Sequence, residues 1–328
     1  MSVSMRDISK AAGVSITTVS NVLRRKGRVS EATRRRILAV AKELGYFRGQ
    51  RRTTGQLGVI YYAPPHEKGG SYYTTEAISA IQEVVSKRDY QLSFYIVDDP
   101  HTEVPPMVEH GGIEGLLVIG GSISDSLLEK LTAWELPLVL LYSEHPTLNL
   151  NCVLTDNQKG AYLAVQHLYK LGHKKIGFIN GWSHTHTSAA KLAGYRQALS
   201  EGGLPFEPAL YTEGDFTVEG GAQQMAKLLC QNPDLTSVFV ADDLMAIGAM
   251  HKAQALGRAI PEDLAIVGFG DSPFSAHTQP PLSTIRVEKR LIGTLGAQRL
   301  LSLIDSPDEP PLKILTPTKL IPRKSSGC

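Results

Sequence analysis

The chain has 328 residues, of which 42% are hydrophobic and 20% charged, a composition typical of a globular protein of two or three domains and not of a disordered chain. Its N-terminus lacks an apolar signal region and its three cysteines are far apart, so we expect a cytoplasmic protein without disulfides. No apolar run approaches the roughly 20 residues that span a bilayer, so no membrane partner is expected.

Charge is distributed unevenly along the sequence. Residues 1–56 contain 13 Lys and Arg against 3 Asp and Glu, a balance of +10. The remaining 272 residues contain 21 against 29, a balance of −8. A basic segment attached to an acidic body indicates a nucleic-acid-binding module joined to a domain that does not bind nucleic acid.

Capping residues and apolar spacing predict three short helices in the basic segment. Ser4, Ser15 and Ser30 are placed as N-caps, and Gly13 ends the first helix near Ala12. The second helix is predicted to run to about Arg25, and Gly45 ends the third. The residues predicted to face the core are Ile8, Ala11 or Ala12, Val19, Val22, Leu23, Ile37, Val40, Ala41 and Leu44.

The face of the second helix opposite its apolar stripe has short polar side chains, which suit close approach to base edges in the major groove. Flanking arginines could reach phosphates. A basic three-helix bundle that binds a protein partner is the alternative interpretation. The predicted contacts to double-stranded DNA are Ser15, Ile16, Thr17, Ser20, Asn21, Arg24, Arg28 and Arg35, with Arg48, Arg51 and Arg52 in the following joint.

From Leu57 onward, short apolar strands alternate with helical stretches, which predicts parallel sheets covered on both faces. About 270 residues suggest two subdomains with a ligand cleft at the carboxyl ends of the strands. The predicted strands are Leu57–Tyr62, Leu92–Val97, Leu116–Ile119, Leu138–Leu141, Cys152–Thr155, Lys175–Ile179, Ser237–Ala241 and Ala265–Phe269, and the helices include Thr75–Arg88, Ala161–Leu171, Ala189–Ser200 and Asp243–Leu256.

The stretch from Asp7 to Leu23 resembles the head of the lactose/galactose repressor family, and motifs such as Asp156-Asn157 and Asp242-Asp243 extend the resemblance along nearly the whole chain. The resemblance implies a DNA-binding domain at 1–46, a linker at 47–56 and an effector-binding and dimerisation domain at 57–328. The last would divide into a subdomain N of about 57–156 and 288–316 and a subdomain C of about 157–287 and 317–328. The body would resemble a periplasmic sugar-binding protein.

Function follows from the same resemblance as an expectation. The chain would be a transcriptional regulator, more specifically a repressor, and a small sugar or sugar acid would modulate its affinity for the operator. It would form a homodimer or, alternatively, a tetramer. The implied effector-binding residues are Tyr72, Tyr73, Asp156, Lys191, Phe216, Asp242 and Gly270. Alternatively, the aromatic residues are packing residues and the two aspartates are helix N-caps.

Four departures from the family pattern bear on specificity. Asn21 and Lys191 stand where relatives commonly have Arg, and Gly270 where many place a ligand-binding Asp, which gives weight to an anionic effector. The linker 47–56 has no Leu and two Gly, so we predict that it does not form the intercalating hinge helix of relatives.

Catalytic motifs are not recognisable. The sequence has no Gly-rich phosphate loop, no G-x-S-x-G elbow and no Cys and His at metal-ligand spacing, so we predict no enzyme activity, no metal and no cofactor. His184 and His186 are two residues apart and could bind a metal, but a surface loop is the expected role. A nucleoside effector, a transport receptor and an enzyme with an added DNA-binding head remain the alternatives.

Overall fold

The computed structural model describes residues 4–23, 29–44, 54–62, 72–97, 108, 112–120 and 123–327. The chain divides into two compact units, Met1–Thr54 and Gly55–Cys328, called here the head and the body. Within the described ranges, no helix is long and apolar enough to cross a membrane.

The described part of the head consists of α1 (Met5–Ala12), α2 (Ile16–Leu23) and α3 (Glu31–Glu43). The Asp7 carboxylate accepts hydrogen bonds from the backbone and hydroxyl of Ser4, and Gly13 adopts the left-handed conformation that ends α1. The Ser15 hydroxyl accepts from Thr18 N–H at 3.0 Å, and Ser30 caps α3 in the same way. The predicted caps are therefore confirmed.

The head has a small apolar core formed by all three helices. One prediction for this core was wrong: Leu44 is 38% exposed, because it follows the end of α3 and no longer faces the helix bundle. Ala11 is exposed and Ala12 buried, which decides between the two alternatives. The buried residues of this core are Ile8, Ala12, Val19, Val22, Ile37 and Ala41.

The first sheet of the body is entirely parallel, with strand order β11-β5-β4-β3-β1-β2. One face packs against α4 (Tyr72–Val85) and α10 (Lys289–Asp305), and the other packs against α5 (Asp125–Thr132). We call this sheet and its helices the N-lobe. Its strands are β1 (Gln56–Tyr62), β2 (Gln91–Val97), β3 (Leu116–Ile119), β4 (Leu138–Leu141), β5 (Asn151–Thr155) and β11 (Lys313–Thr316).

The second sheet has the order β12-β10-β9-β8-β6-β7 and is parallel except for β12, which runs antiparallel to β10. With its helices it forms the C-lobe. The strands are β6 (Ile176–Asn180), β7 (Tyr211–Glu213), β8 (Ser237–Val240), β9 (Ala265–Gly270), β10 (Ser283–Val287) and β12 (Thr318–Ile321), and the helices are α6 (Asn157–Lys170), α7 (His186–Glu201), α8 (Val218–Gln231) and α9 (Asp243–Ala255).

Three of the predicted helices begin three or four residues earlier than their apolar spacing indicated. Helices α4, α6 and α7 start at Tyr72, Asn157 and His186. In α6 and α7 the first turn is mostly polar, and its N–H groups are satisfied by Asp156 and Thr185 as N-caps. The parallel, helix-covered sheets confirm the predicted α/β fold class.

The chain crosses between the lobes at residues 155–157, 287–289 and 316–318, where a strand of one lobe leads into an element of the other. The strands β5 and β10 both leave their sheets at the carboxyl edge. The carboxyl edges of the two sheets therefore face each other across a cleft, which is the location where open α/β sheets bind ligands.

Candidate ligand site and nucleic-acid interface

Two oppositely charged side chains, Asp242 and Lys191, come from different elements of the C-lobe and influence each other electrostatically. Asp242 follows β8 and caps α9, where its Oδ1 accepts hydrogen bonds from the N–H groups of Leu244 (2.8 Å) and Met245 (3.3 Å). Lys191 lies in α7 and is only 5% exposed, with its Nζ 4.5 Å from the centroid of the Phe269 ring. The two backbone N–H groups hold the Asp242 carboxylate in position, and the Phe269 ring holds the Lys191 ammonium group.

The protein environment shifts the protonation of both groups toward neutrality. Burial lowers the pKa of Lys191 to about 8, against an opposing effect of Asp242. Burial raises the pKa of Asp242 to about 7, helped by the neighbouring carboxylate of Asp243 and opposed by Lys191. No direct ion pair joins these two described groups. The two groups therefore influence each other's ionisation without a direct ion pair.

The adjacent aspartate serves a different purpose. Asp243 is fully buried, and its carboxylate accepts from Ser272 N–H at 2.6 Å, Ser275 Oγ at 2.7 Å and Thr284 Oγ1 at 2.6 Å. These bonds tie the loop after β9 and the strand β10 to the start of α9. The two adjacent carboxylates therefore have different partners: that of Asp243 binds these three donors, and that of Asp242 caps α9.

An aromatic wall lines the cleft at the end of β6. The Phe216 ring lies against Gly181, so close that a Cβ at Gly181 would come within 2.1 Å of it. Trp182 meets the Phe216 ring edge-on, with centroids 5.2 Å apart. Phe216 has φ +65°, a conformation unfavourable for a bulky side chain and enriched at ligand sites. Sequence analysis missed Trp182; its only signal is its position directly after an apolar strand.

Asp156 accepts a hydrogen bond from Lys159 N–H at 2.9 Å and caps α6. One lone-pair site is thus occupied by the helix, and the rest of the carboxylate is half-buried at the N-lobe side of the cleft. Tyr72 and Tyr73 form the first turn of α4, with side chains outside the described atoms.

Gly270 ends β9 with φ +130° and presents no side chain to the cleft. The carboxylate comes one residue later, at Asp271, which is bonded to Arg286 and Arg323 at 2.7 Å each. Burial opposes ionisation of Asp271, but the two guanidinium groups hold its pKa below the usual value. The charge of Asp271 is therefore balanced by two arginines of the same lobe.

A second buried cation lies beside Asp271. Lys289, at the start of α10, is 3% exposed, and its Nζ is 3.3 Å from the Asp271 carbonyl oxygen and 3.6 Å from Glu76 Oε1. Lys289 therefore contacts both lobes, since Glu76 lies in α4 and Asp271 follows β9. The described residues include no group of three or more His, Cys, Asp or Glu that could hold a metal ion.

In the head, α2 presents Ile16 (45% exposed) and Thr17 at its first turn, with Ser20 and Asn21 half-buried on the following turn. Ser15 is exposed, and its hydroxyl is engaged as the cap of α2. The side chain of Arg35 is outside the described atoms. Residues 47–53 of the predicted linker and the remaining predicted contacts, Arg24, Arg28, Arg48, Arg51 and Arg52, lie outside the described residues, and Gln56, predicted as the last linker residue, begins β1.

A helix-turn-helix head attached to a two-lobed body with a ligand cleft defines a DNA-binding transcriptional regulator. Residues 4–48 match the bacterial regulatory proteins of the lacI family, and residues 165–326 match the periplasmic binding protein-like domain. The chain belongs to the lacI family of bacterial regulatory proteins.

Relatives along the full length agree with this assignment. The chain is 31% identical to the probable HTH-type transcriptional repressor ExuR of Bacillus subtilis (strain 168), with 98% of each chain covered. Among solved structures, it is similar to the transcriptional regulator CelR in complex with cellobiose (28% identity, TM-score 0.76, 98% of this chain and 99% of that one). It is also similar to the lac repressor dimer bound to operator and an anti-inducer (25% identity, TM-score 0.71, 99% of each chain).

Proposed function

We propose that this chain represses transcription as a dimer bound to an operator, and that a sugar or sugar acid in the body's cleft modulates its operator affinity. Effector binding would favour one closure state of the lobes and thereby change how two heads fit the operator. The CelR complex with cellobiose and the operator-bound lac repressor dimer support the two halves of this proposal by similarity.

The observation that favours a ligand in the cleft is the pair Lys191 and Asp242. Each is buried enough to lose part of its charge, and neither neutralises the other through a direct ion pair. A protein selected for stability alone would pair such groups or replace them with apolar residues. Perturbed, unpaired charges in a cleft are typical of a binding site whose ligand supplies the missing polar partners.

The charge balance favours a sugar acid over a neutral sugar. Lys191 is a buried cation without a direct ion pair, Gly270 contributes no carboxylate, and Asp271 is bound to two arginines. A ligand carboxylate would pair with Lys191, while its hydroxyls would donate to Asp242. Trp182 and Phe216 offer apolar ring surface to the C–H side of a sugar ring.

Ligand class can be tested on the full-length chain by thermal shift with matched compounds: glucuronate against glucose, gluconate against glucitol, and adenosine as the nucleoside alternative. We expect the acids to raise the melting temperature more than their neutral counterparts. A ligand at 100 times its Kd stabilises the folded protein by about 2.7 kcal/mol. The acid should be recovered chemically unchanged. Stabilisation by adenosine alone would contradict the proposal.

If α2 contacts the bases of the operator, substitutions on this helix should change sequence specificity. Asn21→Ala removes a side chain able to form a paired hydrogen bond with adenine, so we expect a loss of about 1–3 kcal/mol confined to one base-pair position. Competition binding against a library of single-position operator variants measures this. Arg35→Ala, as the control, should weaken all sequences alike and reduce the salt slope by about 0.9. Uniform weakening by Asn21→Ala would contradict the assigned base contact.

The edge strand β2 makes a second prediction, about the dimer. Phe94 and Ile96 point to the same side of this edge strand and are 46% and 55% exposed. We expect a second copy to cover them, so that Ile96→Glu converts the dimer to a monomer in sedimentation velocity and weakens operator binding. Leu315→Glu is the matched control, because Leu315 is 56% exposed at the opposite edge of the same sheet. An unchanged dimer in Ile96→Glu would exclude β2 from the interface.

A further inference from the structure

Among the described residues, one contact between a histidine and a carboxylate joins the two lobes across the cleft, away from the three chain crossings. Glu144 follows β4 in the N-lobe, and His186 is the first residue of α7 in the C-lobe. His186 Nε2 lies 2.9 Å from Glu144 Oε1. Both residues come after the carboxyl end of a strand, so the contact bridges the two edges that face the cleft.

A third residue fixes the position of Glu144. The ammonium group of Lys313, at the start of β11, pairs with the other carboxylate oxygen of Glu144. Lys313 and Glu144 belong to the same lobe, so this pair does not depend on cleft closure. The side chain of Glu144 is 22% exposed, which reduces solvent screening of both contacts. Glu144 is thus held on the N-lobe with one oxygen directed at the C-lobe.

Opening of the cleft must therefore break the bond between Glu144 and His186 while that between Glu144 and Lys313 persists. His186 lies on the same helix as Lys191, since His186 begins α7 and Lys191 follows in its second turn. A movement of α7 away from the N-lobe would separate Glu144 from His186 and at the same time displace Lys191 from the N-lobe side of the site.

We propose that Glu144 and His186 form a gate that favours the closed cleft, with Lys313 as the residue that positions Glu144. The role of the gate in retaining an effector rests on the proposed function; the closure itself does not. Because the pair is partly exposed, its loss should increase the open population about two- to fivefold, the range expected for a single such ion pair.

The test measures lobe separation in the full-length chain without any effector. Spin labels are placed on the exposed native Cys230 of the C-lobe and on Ser126→Cys of the N-lobe helix α5, with Cys328→Ser removing a competing thiol; Cys152 is buried. Distance distributions by double electron–electron resonance are compared for Glu144→Gln, His186→Ala and the double variant. Glu83→Gln is the matched control, since it removes an ion pair with Arg290 inside the N-lobe.

We expect each single gate variant to increase the population at long distances about two- to fivefold, and the double variant to add nothing beyond the larger single effect. Lys313→Gln should give a smaller increase in the same direction, and Glu83→Gln none. Unchanged distributions in the gate variants, or additive effects in the double variant, would overturn the gate. That outcome would leave the effector assignment intact, because no effector is used, and failure of the ligand screen would likewise leave the distance result standing.

Discussion

Replacing Asp242 with asparagine is expected to abolish the effector response while operator binding stays at the wild-type level. Asparagine keeps the N-cap of α9, so Leu244 and Met245 retain their acceptor, but it removes the negative charge that would accept hydrogen bonds from ligand hydroxyls. The loss of a charged hydrogen-bond partner for a buried ligand typically costs several kcal/mol, so effector affinity should fall at least about a hundredfold. The head belongs to a separate compact unit and should be unaffected.

The measurement combines calorimetry with glucuronate and operator binding with and without glucuronate. Asp234→Asn serves as the control, because it neutralises an exposed aspartate of the same lobe that pairs with Lys175 instead of facing the cleft. Effector affinity unchanged in Asp242→Asn would exclude Asp242 from the site. Loss of operator binding by the free protein would show instead that the substitution acts on the fold.

The same substitution, Asp242→Asn, should weaken effector binding but raise the stability of the folded protein at pH 8. The folded-state pKa of Asp242 is raised to about 7 from 3.8, so its contribution to stability is present below about pH 4 and is lost as the pH rises through 7. Asp242→Asn should therefore melt at a higher temperature than the wild type at pH 8, and this advantage should shrink toward pH 4. Such a cost to stability is expected of a residue retained for ligand binding, which is the role proposed for Asp242.

The sequence predicted the α/β class and eight of the twelve strands found among the described residues, because apolar runs of four to six residues between turn signals are local patterns. It did not predict β7, which has only three residues, β10, which begins with the polar residues Ser283 and Thr284, or β11 and β12, whose side chains are mostly exposed or half-exposed. Leu44 shows a further limit: helical spacing places it on the core face, but the helix ends before it. Such boundaries depend on tertiary packing that the periodicity does not contain.

Part of the candidate site could be predicted from the sequence, because some of its residues come shortly after predicted strands. Asp242 and Asp156 come directly after strands, where caps and ligand contacts coincide. Lys289 and the contact between Glu144 and His186 were not predicted, because they form only where the chain crossings bring the two sheets together. The expectation that His186 lies in a surface loop was wrong, because Thr185 caps α7 and His186 is its first residue. The neutralisation of Asp271 by Arg286 and Arg323 is likewise a tertiary fact, since these residues are 15 and 52 positions away.

Whether effector binding takes up or releases protons distinguishes a sugar acid from a neutral sugar. In the protein without ligand, the pKa of Lys191 is about 8 and that of Asp242 about 7. A ligand carboxylate near Lys191 should raise the pKa of this lysine by attraction and that of Asp242 by repulsion. Both shifts take up protons, so affinity for the acid should fall as the pH rises from 7 to 9. Uptake of one full proton lowers affinity about tenfold per pH unit.

A neutral sugar should behave in the opposite way. Its hydroxyls would donate to the ionised Asp242, which lowers the pKa of that carboxyl and releases a proton near pH 7, so affinity should rise with pH. Calorimetry with glucuronate at pH 8 in phosphate and in Tris, whose ionisation enthalpies differ, gives the number of protons directly. Lys191→Met should remove the uptake at pH 8, whereas Lys174→Met, an exposed lysine that lies over the Tyr169 ring, should preserve it. Proton release by wild-type protein on binding glucuronate would show that the ligand carboxylate does not meet Lys191, and would place the acidic group of the effector elsewhere in the cleft.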